Sequence, residues 1–230
     1  MTYGGFLKKN RRKNMKHNTD FTVTAHTGCM STKMNSLESI KKAVDFGADI
    51  TEFDLNFTRN NSPVLSHNTP AGNEVTLENA FELLSHYPEL KINIDIKSDK
   101  NLGVILPLAK KYSLENRIFL TGVDSRFVAS VKKDAGGIDY YLNFFPNRFK
   151  IHSKKYIDYV VKTVKESGAI GLNTNFRFAT KHLVSALQKN GLLVSLWTAN
   201  TPGQMKKSMS MNPDNITTKD VKTLTKLKDK

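Results

Sequence analysis

Two short segments of the sequence alternate large apolar side chains with acidic, amide or basic ones. Residues 52–57 have the sequence Glu-Phe-Asp-Leu-Asn-Phe, and residues 92–97 have the sequence Ile-Asn-Ile-Asp-Ile-Lys. A period of two is typical of a β-strand, in which successive side chains point to opposite faces. Each segment is therefore predicted to be a strand with one apolar face and one face of groups that can bind cations or phosphate.

The polar faces of these two strands hold three carboxylates, from Glu52, Asp54 and Asp95, together with the amine of Lys97. If both strands belong to a parallel barrel, neither side faces bulk water, so the polar faces must point into the barrel. Carboxylates gathered there repel one another unless a cation lies between them. Oxygen ligands suit Mg²⁺ or Ca²⁺, so a divalent-cation site is predicted; a metal-free network with Lys97 is the alternative.

His26 and His67 are two further groups that could transfer protons. His26 lies near the carboxyl end of the first predicted strand, and His67 ends the extended segment 63–67. In a barrel, active sites form at the carboxyl ends of the strands, and two imidazoles beside a cation can divide acid and base work on a phosphoester. We interpret them as a catalytic pair, with a structural or exposed role as the alternative.

Strand and helix patterns alternate along the chain in eight units. The predicted strands are 22–28, 49–58, 91–97, 117–122, 138–144, 169–175, 192–199 and 215–218. The predicted helices are 35–46, 76–87, 102–112, one from 125, 153–167, 181–190, one from 202, and the Lys-rich tail. Asn35 is predicted to cap the first helix, because Glu38 follows three residues later.

Eight strand–helix units close most economically into a single-domain (β/α)8 TIM barrel, which we assign to residues 21–230. Residues 1–20 are predicted to be a basic N-terminal extension. The rival fold is a doubly wound open sheet. No Gly-x-Gly-x-x-Gly loop follows the first strand, which argues against that rival.

The formal charge of +14 is concentrated at the two ends of the chain. Residues 1–20 carry +5 and residues 203–230 carry +4. A basic tail can bind an anionic membrane surface, and a basic surface suits a small anionic substrate such as a phosphate ester. No helix-turn-helix, zinc finger or RNA-binding aromatic motif accompanies the charge, so no specific nucleic-acid partner is expected.

The sequence also excludes several classes of protein. No apolar run approaches the roughly 18 residues of a membrane helix, and no apolar segment follows the basic N-terminus as in a secretory signal. The single cysteine, Cys29, excludes an internal disulfide framework and a cysteine-based zinc site. We therefore expect a cytoplasmic protein, whose oligomeric state the sequence leaves open.

The chain resembles the glycerophosphodiester phosphodiesterase family in the order and spacing of short motifs between residues 22 and 218. Six motifs of the family correspond to residues 26–28, 34–36, 47–54, 58–68, 94–97 and 197–200. In the same order, the family motifs are His-Arg-Gly, Glu-Asn-Thr, Gly-Ala-Asp…Glu-x-Asp, Thr-x-Asp…Pro-Val-x-x-His-Asp, Ile-Glu-x-Lys and Trp-Thr-x-Asn. No single motif is specific, but their order and spacing together are.

The resemblance implies a (β/α)8 barrel that cleaves a phosphodiester with a divalent cation, Mg²⁺ or Ca²⁺. The expected substrate is a small-molecule glycerophosphodiester, which would yield an alcohol and glycerol 3-phosphate. The resemblance also implies roles for seven residues: His26 and His67 as general acid and base, Glu52, Asp54 and Asp95 as metal ligands, Lys97 as a phosphate-binding residue, and Trp197 in the substrate pocket.

Four positions depart from the family pattern. Thr27 replaces an Arg that would hold phosphate with two parallel hydrogen bonds, and Asp95 replaces a Glu. Asn68 replaces an Asp, and Lys219 stands near an Asp of the last strand. Because the acid–base and metal-binding residues are retained, we expect the substrate contacts to differ more than the reaction class.

Three alternative functions stay open. An Asp-x-Lys third strand without His-Arg-Gly is also similar to venom-type phospholipase D toxins, barrel lyases that release a cyclic phosphate; such a lyase would act on a lysophospholipid headgroup. A phosphoinositide phospholipase C barrel uses two histidines without a metal, but the three carboxylates argue against it. The third alternative is a catalytically weak barrel that binds phosphate ligands, with Thr27 as the sign of lost activity.

Overall fold

Strands and helices alternate in the structure, a computed structural model that describes residues 21–229. The strands are β1 (Thr22–Ala25), β2 (Ile50–Phe57), β3 (Pro63–Leu65), β4 (Lys91–Ile96), β5 (Ile118–Val123), β6 (Tyr140–Asn143), β7 (Gly171–Asn175), β8 (Leu193–Trp197) and β9 (Asn215–Thr218). The helices are α1 (Leu37–Asp45), α2 (Leu77–Ser85), α3 (Ile105–Lys111), α4 (Val128–Asp134), α5 (Lys154–Ser167), α6 (Lys181–Lys189), α7 (Pro202–Met209) and α8 (Val221–Lys228). The predicted extension at residues 1–20 lies outside the described residues.

Eight of the described strands close into a parallel barrel. Their order around the barrel is β1, β2, β4, β5, β6, β7, β8 and β9, and β9 pairs back with β1. Because β1 pairs on both sides, the sheet has no open edge there, and the doubly wound alternative is excluded. The prediction of a (β/α)8 barrel is confirmed.

Strand β3 lies outside the barrel order and brings the chain back over its carboxyl end. It pairs antiparallel with Leu55–Phe57, the last three residues of β2. β1 pairs only with Ile50 and Thr51 at the start of β2, so the far end of β2 has an edge that β3 can use. His67 follows β3 directly and is thereby carried to the rim of the barrel.

The register between β2, β4 and β5 aligns the polar residues of the two segments. Asp54 lies opposite Asp95, and Asp95 lies opposite Thr121. Residues two apart on a strand point to the same side, so the polar set shares the inner face. Phe53 and Leu55 belong to the large apolar core that the strands form with the helices.

Local side-chain hydrogen bonds define where several helices begin. Ser36 caps α1 by accepting a hydrogen bond from the backbone N–H of Ser39, and Thr201 forms a capping box with Gln204 at α7. The prediction that Asn35 caps α1 is wrong by one residue. Asn35 has a left-handed backbone, with φ 56°, and its amide is bonded elsewhere.

The helices cover the outside of the barrel and bury two apolar clusters. The larger cluster lies along β2 to β8, and the smaller one joins β1 and β9 to residues of α1, α7 and α8. No helix in the described part of the chain is long and apolar enough to cross a bilayer.

Candidate active site

A cavity of about 280 Å³ opens at the carboxyl end of the barrel strands. Its wall contains every site residue predicted from the sequence: His26, Glu52, Asp54, His67, Asp95, Lys97 and Trp197. Parallel barrel strands all end at the same rim, and this is why residues far apart in the chain meet here.

Three carboxylates lie together on the inner faces of β2 and β4. Glu52 is 5% exposed and Asp54 is 2% exposed. One oxygen atom from each of Glu52, Asp54 and Asp95 lies within 4.8 Å of the others. The strand register produces this grouping, because Asp54 and Asp95 are direct neighbours across β2 and β4.

Lys97 lies between two of these carboxylates. Its Nζ is 2.9 Å from Oδ1 of Asp54 and also donates to Oδ2 of Asp95. Burial by itself would lower the pKa of Lys97, but the charges of Asp95 and Asp54 outweigh it and raise that pKa above its ordinary value. Lys97 is therefore held in its charged form.

Glu52 is in a less favourable setting than the two aspartates. Burial raises its pKa well above that of an ordinary carboxyl group, and the nearby charges of Asp54 and Asp95 raise it further. The backbone N–H of Thr27 donates a hydrogen bond of 2.8 Å to Oε2 of Glu52 and opposes this shift. The ionised form of Glu52 would gain from an additional positive charge in the cavity.

A divalent cation fits this set of side chains. When ionised, the three carboxylates contribute three negative charges and Lys97 contributes one positive charge, which leaves two negative charges in a buried place. Carboxylate oxygens are the ligands that Mg²⁺ and Ca²⁺ prefer. Glu52, Asp54 and Asp95 are the residues that could hold such an ion.

The two histidines lie on the same cavity in different surroundings. Nδ1 of His26 is 2.9 Å from the carbonyl oxygen of Thr27, and Nδ1 of His67 is 3.1 Å from Oδ1 of Asn68. His26 is largely buried, which lowers its pKa, whereas His67 is exposed. Because a carbonyl oxygen only accepts, Nδ1 of His26 carries a proton and Nε2 carries the lone pair when the ring is neutral.

Aromatic rings form one side of the cavity. Trp197 ends β8, and its ring meets that of Phe145 at 5.8 Å between centroids, nearly at right angles. Phe145 also makes an edge-on contact of 5.8 Å with Phe178. The sequence pointed to Trp197 but not to Phe145, although Phe145 follows the end of β6 and so occupies a rim position.

A protein-family comparison assigns most of the chain. The model of the glycerophosphoryl diester phosphodiesterase family matches residues 24–70 and 68–223. The chain belongs to this family. It is therefore a phosphodiesterase, as the order of its motifs indicated. A search of curated protein sequences finds no match.

Solved structures of glycerophosphodiester phosphodiesterases share the fold at low sequence identity. The Parabacteroides distasonis enzyme superposes with a TM-score of 0.74 at 17% identity, over 91% of this chain and 97% of that one. The Thermotoga maritima enzyme gives 0.66 at 20% identity, over 90% and 98%. An Oleispira antarctica phosphodiesterase in complex with the product sn-glycerol-3-phosphate gives 0.72 at 16% identity, over 91% and 97%.

In this member of the family, Thr27 does not line the cavity. It is 1% exposed, and its Oγ1 accepts a hydrogen bond of 2.5 Å from the backbone N–H of Asn35. Its own backbone N–H holds Glu52. Thr27 thus holds Glu52 in place through its backbone. Its buried side chain does not replace the phosphate contact expected of an Arg at this position.

Asn35 is a site residue that sequence reasoning missed. Its Nδ2 donates to Oδ2 of Asp54 at 2.9 Å, and its Oδ1 accepts the backbone N–H of Asp54 at 3.0 Å. The signal was present in the family motif at residues 34–36, but a helix cap seemed sufficient to explain the residue. The structure gives the capping role to Ser36 and the positioning role to Asn35.

Further polar residues line the cavity, and of these only Asn93 was placed on an inward strand face by the sequence. Oγ1 of Thr121 lies 2.7 Å from Oδ1 of Asp95 and 2.9 Å from Oδ1 of Asn93, and its single O–H can donate to either of them. Asn173 donates to Oδ1 of Asn143 at 2.9 Å on the opposite side. An Asn or Thr at an inward position of each strand could have identified these residues once the strand faces were assigned.

Proposed function

We propose that this phosphodiesterase hydrolyses glycerophosphodiesters to an alcohol and glycerol 3-phosphate, with a divalent cation and with His26 and His67 as general acid and base. The observation that supports this most strongly is the gathering of two histidines, three carboxylates and Lys97 around one cavity. The product bound to the Oleispira antarctica relative is consistent with the same product here.

The hydrogen bonds of the histidines suit proton transfer. With Nδ1 bonded to the carbonyl oxygen of Thr27, the neutral ring of His26 presents Nε2 as a base. His67 is oriented by Asn68 and lies at the exposed side of the cavity. In this scheme one ring takes a proton from the attacking water molecule as its oxygen bonds to phosphorus, and the other donates a proton to the alcohol oxygen as its bond to phosphorus breaks.

Lys97 is placed to bind the phosphate group. An ammonium group has three N–H donors, and two of them serve Asp54 and Asp95. We assign the third to a phosphoryl oxygen, where the fixed positive charge offsets the negative charge that grows during the reaction. Trp197 and Phe145 would pack against the rest of the substrate.

The carboxylates would hold the cation that this reaction uses. Glu52, Asp54 and Asp95 are the proposed ligands of Mg²⁺ or Ca²⁺. When bound, the cation would polarise the phosphoryl oxygens. Thr27 and Asn35 keep Glu52 and Asp54 in position through hydrogen bonds to their oxygen atoms.

A lyase that releases a cyclic phosphate from a lysophospholipid headgroup is the second candidate. The sequence of β4, with Asp95 two residues before Lys97, and the burial of Thr27 in place of an exposed Arg favour it. The same histidines and carboxylates would serve both reactions, so only the product distinguishes them.

A metal titration of chelator-treated protein tests the proposal. We expect hydrolysis of a chromogenic phosphodiester and of a choline phosphodiester to vanish with the chelator and to return with Mg²⁺ or Ca²⁺. Asp54→Asn should abolish this response, because it removes a proposed ligand and leaves Lys97 with one partner fewer. Asp45→Asn, at an exposed carboxylate at the end of α1, is the control and should behave like wild type.

Turnover that persists unchanged in the chelator would contradict metal dependence. Absence of turnover with every cation, in a protein that still binds phosphate, would favour the weak phosphate-binding barrel instead.

A further inference from the structure

The loop between β6 and α5 exposes large apolar side chains beside the cavity. Phe149 is 84% exposed and Phe145 is 55% exposed. Isolated apolar side chains are common on protein surfaces, but these two exposed phenylalanines, here called the patch, stand within five residues on one loop. The patch is absent from the apolar core clusters, so the stability of the fold does not account for it.

The part of this loop that carries Phe149 is held in a defined turn. Oδ1 of Asn147 accepts the backbone N–H of Phe149 at 2.9 Å, and the carbonyl oxygen of Asn147 accepts the N–H groups of Lys150 and Ile151. Ile151 is buried and anchors the turn to the protein. Phe149 is thus presented to the outside by a folded support.

The loop that carries Phe149 and the start of α5 contain several basic side chains. Residues 140–157 contain four Lys or Arg residues and no Asp or Glu. Arg148, Lys150, Lys154 and Lys155 are all exposed, and the guanidinium group of Arg148 lies over the ring of Phe149 at 5.4 Å. A surface of this composition is complementary to a partner that offers both negative charge and an apolar interior.

One member of the patch, Phe145, lies at the entrance of the cavity. Phe145 lines the cavity and touches the rings of Trp197 and Phe178. Phe178 lies on the neighbouring loop after β7, next to the exposed side chain of Arg177. Both loops follow the carboxyl ends of barrel strands, so a partner bound to the patch would face the mouth of the cavity.

We propose that residues 145–155 bind the surface of an anionic lipid bilayer. These residues comprise the loop after β6 and the first two residues of α5, and together they are called the docking loop here. Phe149 enters the boundary between headgroups and acyl chains, as aromatic side chains of interfacial segments do. Arg148, Lys150, Lys154 and Lys155 contact the anionic headgroups, each adding affinity near the charged surface. The inference does not depend on which diester the cavity cleaves.

A nucleic acid is the less favoured partner for the same charges. Single strands are bound in a basic groove whose aromatic rings lie flat against successive bases. Phe149 instead projects from a turn, and the guanidinium group of Arg148 lies over its ring. An apolar side chain that projects in this way gains more from the lipid interface than from a base.

Vesicle binding by the full chain tests the docking loop with matched charge variants. Wild type should co-sediment with phosphatidylcholine vesicles that contain about a third phosphatidylserine, and much less with pure phosphatidylcholine. Arg148→Glu with Lys150→Glu should weaken binding by about 25-fold or more, at roughly five-fold for each cation lost. The control, Lys133→Glu with Lys189→Glu, makes the same charge change at exposed sites on the last turns of α4 and α6, at the other end of the barrel.

Phe149 provides an independent measurement. Phe149→Ser should weaken vesicle binding, whereas Phe149→Trp should retain it and show a blue-shifted emission on vesicles, because the indole leaves water. Turnover of a soluble diester should be unchanged in all these variants, since none of the substituted residues lines the cavity.

Two results would overturn the proposal. One is vesicle binding by the Arg148/Lys150 variant that equals that of the Lys133/Lys189 variant. The other concerns RNA: the Arg148/Lys150 variant no longer binds an RNA oligonucleotide that wild type binds, while its affinity for vesicles is unchanged.

Discussion

Each of the two histidines of the cavity is bonded through Nδ1 to an oxygen atom that can only accept a hydrogen bond. The carbonyl oxygen of Thr27 fixes Nδ1 of His26, and the side-chain oxygen of Asn68 fixes Nδ1 of His67. Both rings therefore present the other nitrogen, Nε2, for proton transfer. Asn68 can orient His67 without adding the charge that an Asp would bring.

Replacing either histidine should reduce the rate without unfolding the protein. We expect His26→Ala and His67→Ala each to lower kcat by roughly 10²–10⁴-fold, the usual contribution of a general acid or base. The wild-type kcat/KM should be bell-shaped in pH, and each variant should lose one limb. His86→Ala, at the opposite end of the barrel, is the control. Near wild-type turnover in both single variants would dismiss the assignment.

Asn35 is hydrogen-bonded to Asp54, and under the proposed function it would act on the reaction through that residue. Its amide spans the carboxylate and the backbone N–H of Asp54, so it fixes both the position and the rotation of that side chain. Partners of this kind typically change metal affinity or activity by about 10–100-fold when they are removed. Its left-handed backbone is one that glycine adopts without strain.

Asn35→Gly should therefore lower activity by about 10–100-fold while the thermal midpoint changes little. The cation concentration needed for half-maximal activity should rise as well, which a purely structural residue would not cause. Asn212→Gly makes the same change at another left-handed asparagine, next to β9 at the far end of the barrel, and should leave both quantities as in wild type. Equal behaviour of the two variants would refute a positioning role for Asn35.

At the scale of strands, the approach of β5 to β4 depends on Gly122. Gly122 has φ +76°, and a Cβ there would overlap the carbonyl oxygen of Ile96 and lie 2.9 Å from Oδ1 of Asp95. The register of β5 with β6 shifts at the same place, between Leu120 and Val123. The irregularity thus lets the chain pass close to a proposed metal ligand.

Gly122→Ala should lower both stability and the activity of the folded fraction. Overpacking of this kind costs about 1–3 kcal/mol, and the backbone shift would displace Asp95. Gly171→Ala is the matched control, because its Cβ would overlap the carbonyl oxygen of Leu193 at the start of β7, away from the carboxylates. We expect it to lower the thermal midpoint but to keep specific activity, and a similar loss of activity in both would contradict the link to Asp95.

Strands and helices could be predicted from the sequence where a short run of residues is enough to identify them. Alternation identified β2 and β4 within one or two residues, because the period of a strand is visible in any short window. The pairing of β3 with β2 and the hydrogen bonds of Asn35 join residues that the sequence separates, and no local pattern encodes them. The sequence therefore predicts a cap at Asn35, whereas Ser36 holds that position.

Across the whole molecule, the inside of the barrel is more polar than the branched apolar layers typical of this fold. Asn215 accepts hydrogen bonds from Thr22 and Thr24 and donates to Ser195, and Asn173 donates to Asn143. These polar side chains are thus bonded to one another inside the barrel, in and below the wall of the cavity. Such a base holds the reacting side chains in place before a substrate binds.

The net positive charge is also a property of the whole molecule. A formal charge of +14 favours association with anionic molecules and anionic surfaces in general. Six of the seven predicted site residues could be found from strand alternation or from their place at a strand end, and only Trp197 depended on the family motifs. Phe145 and the docking loop could not, because their importance comes from exposure and from neighbours that only the folded chain shows.

The product of the reaction tests the central claim most directly. Wild-type protein with Mg²⁺ should convert a glycerophosphodiester into free alcohol and glycerol 3-phosphate, which a phosphorus NMR spectrum identifies as a new phosphomonoester signal. The signal should be absent with His26→Ala, His67→Ala or a chelator over the same time. A cyclic phosphodiester as the final product, or an unchanged diester signal with the metal-loaded wild-type protein, would contradict the account.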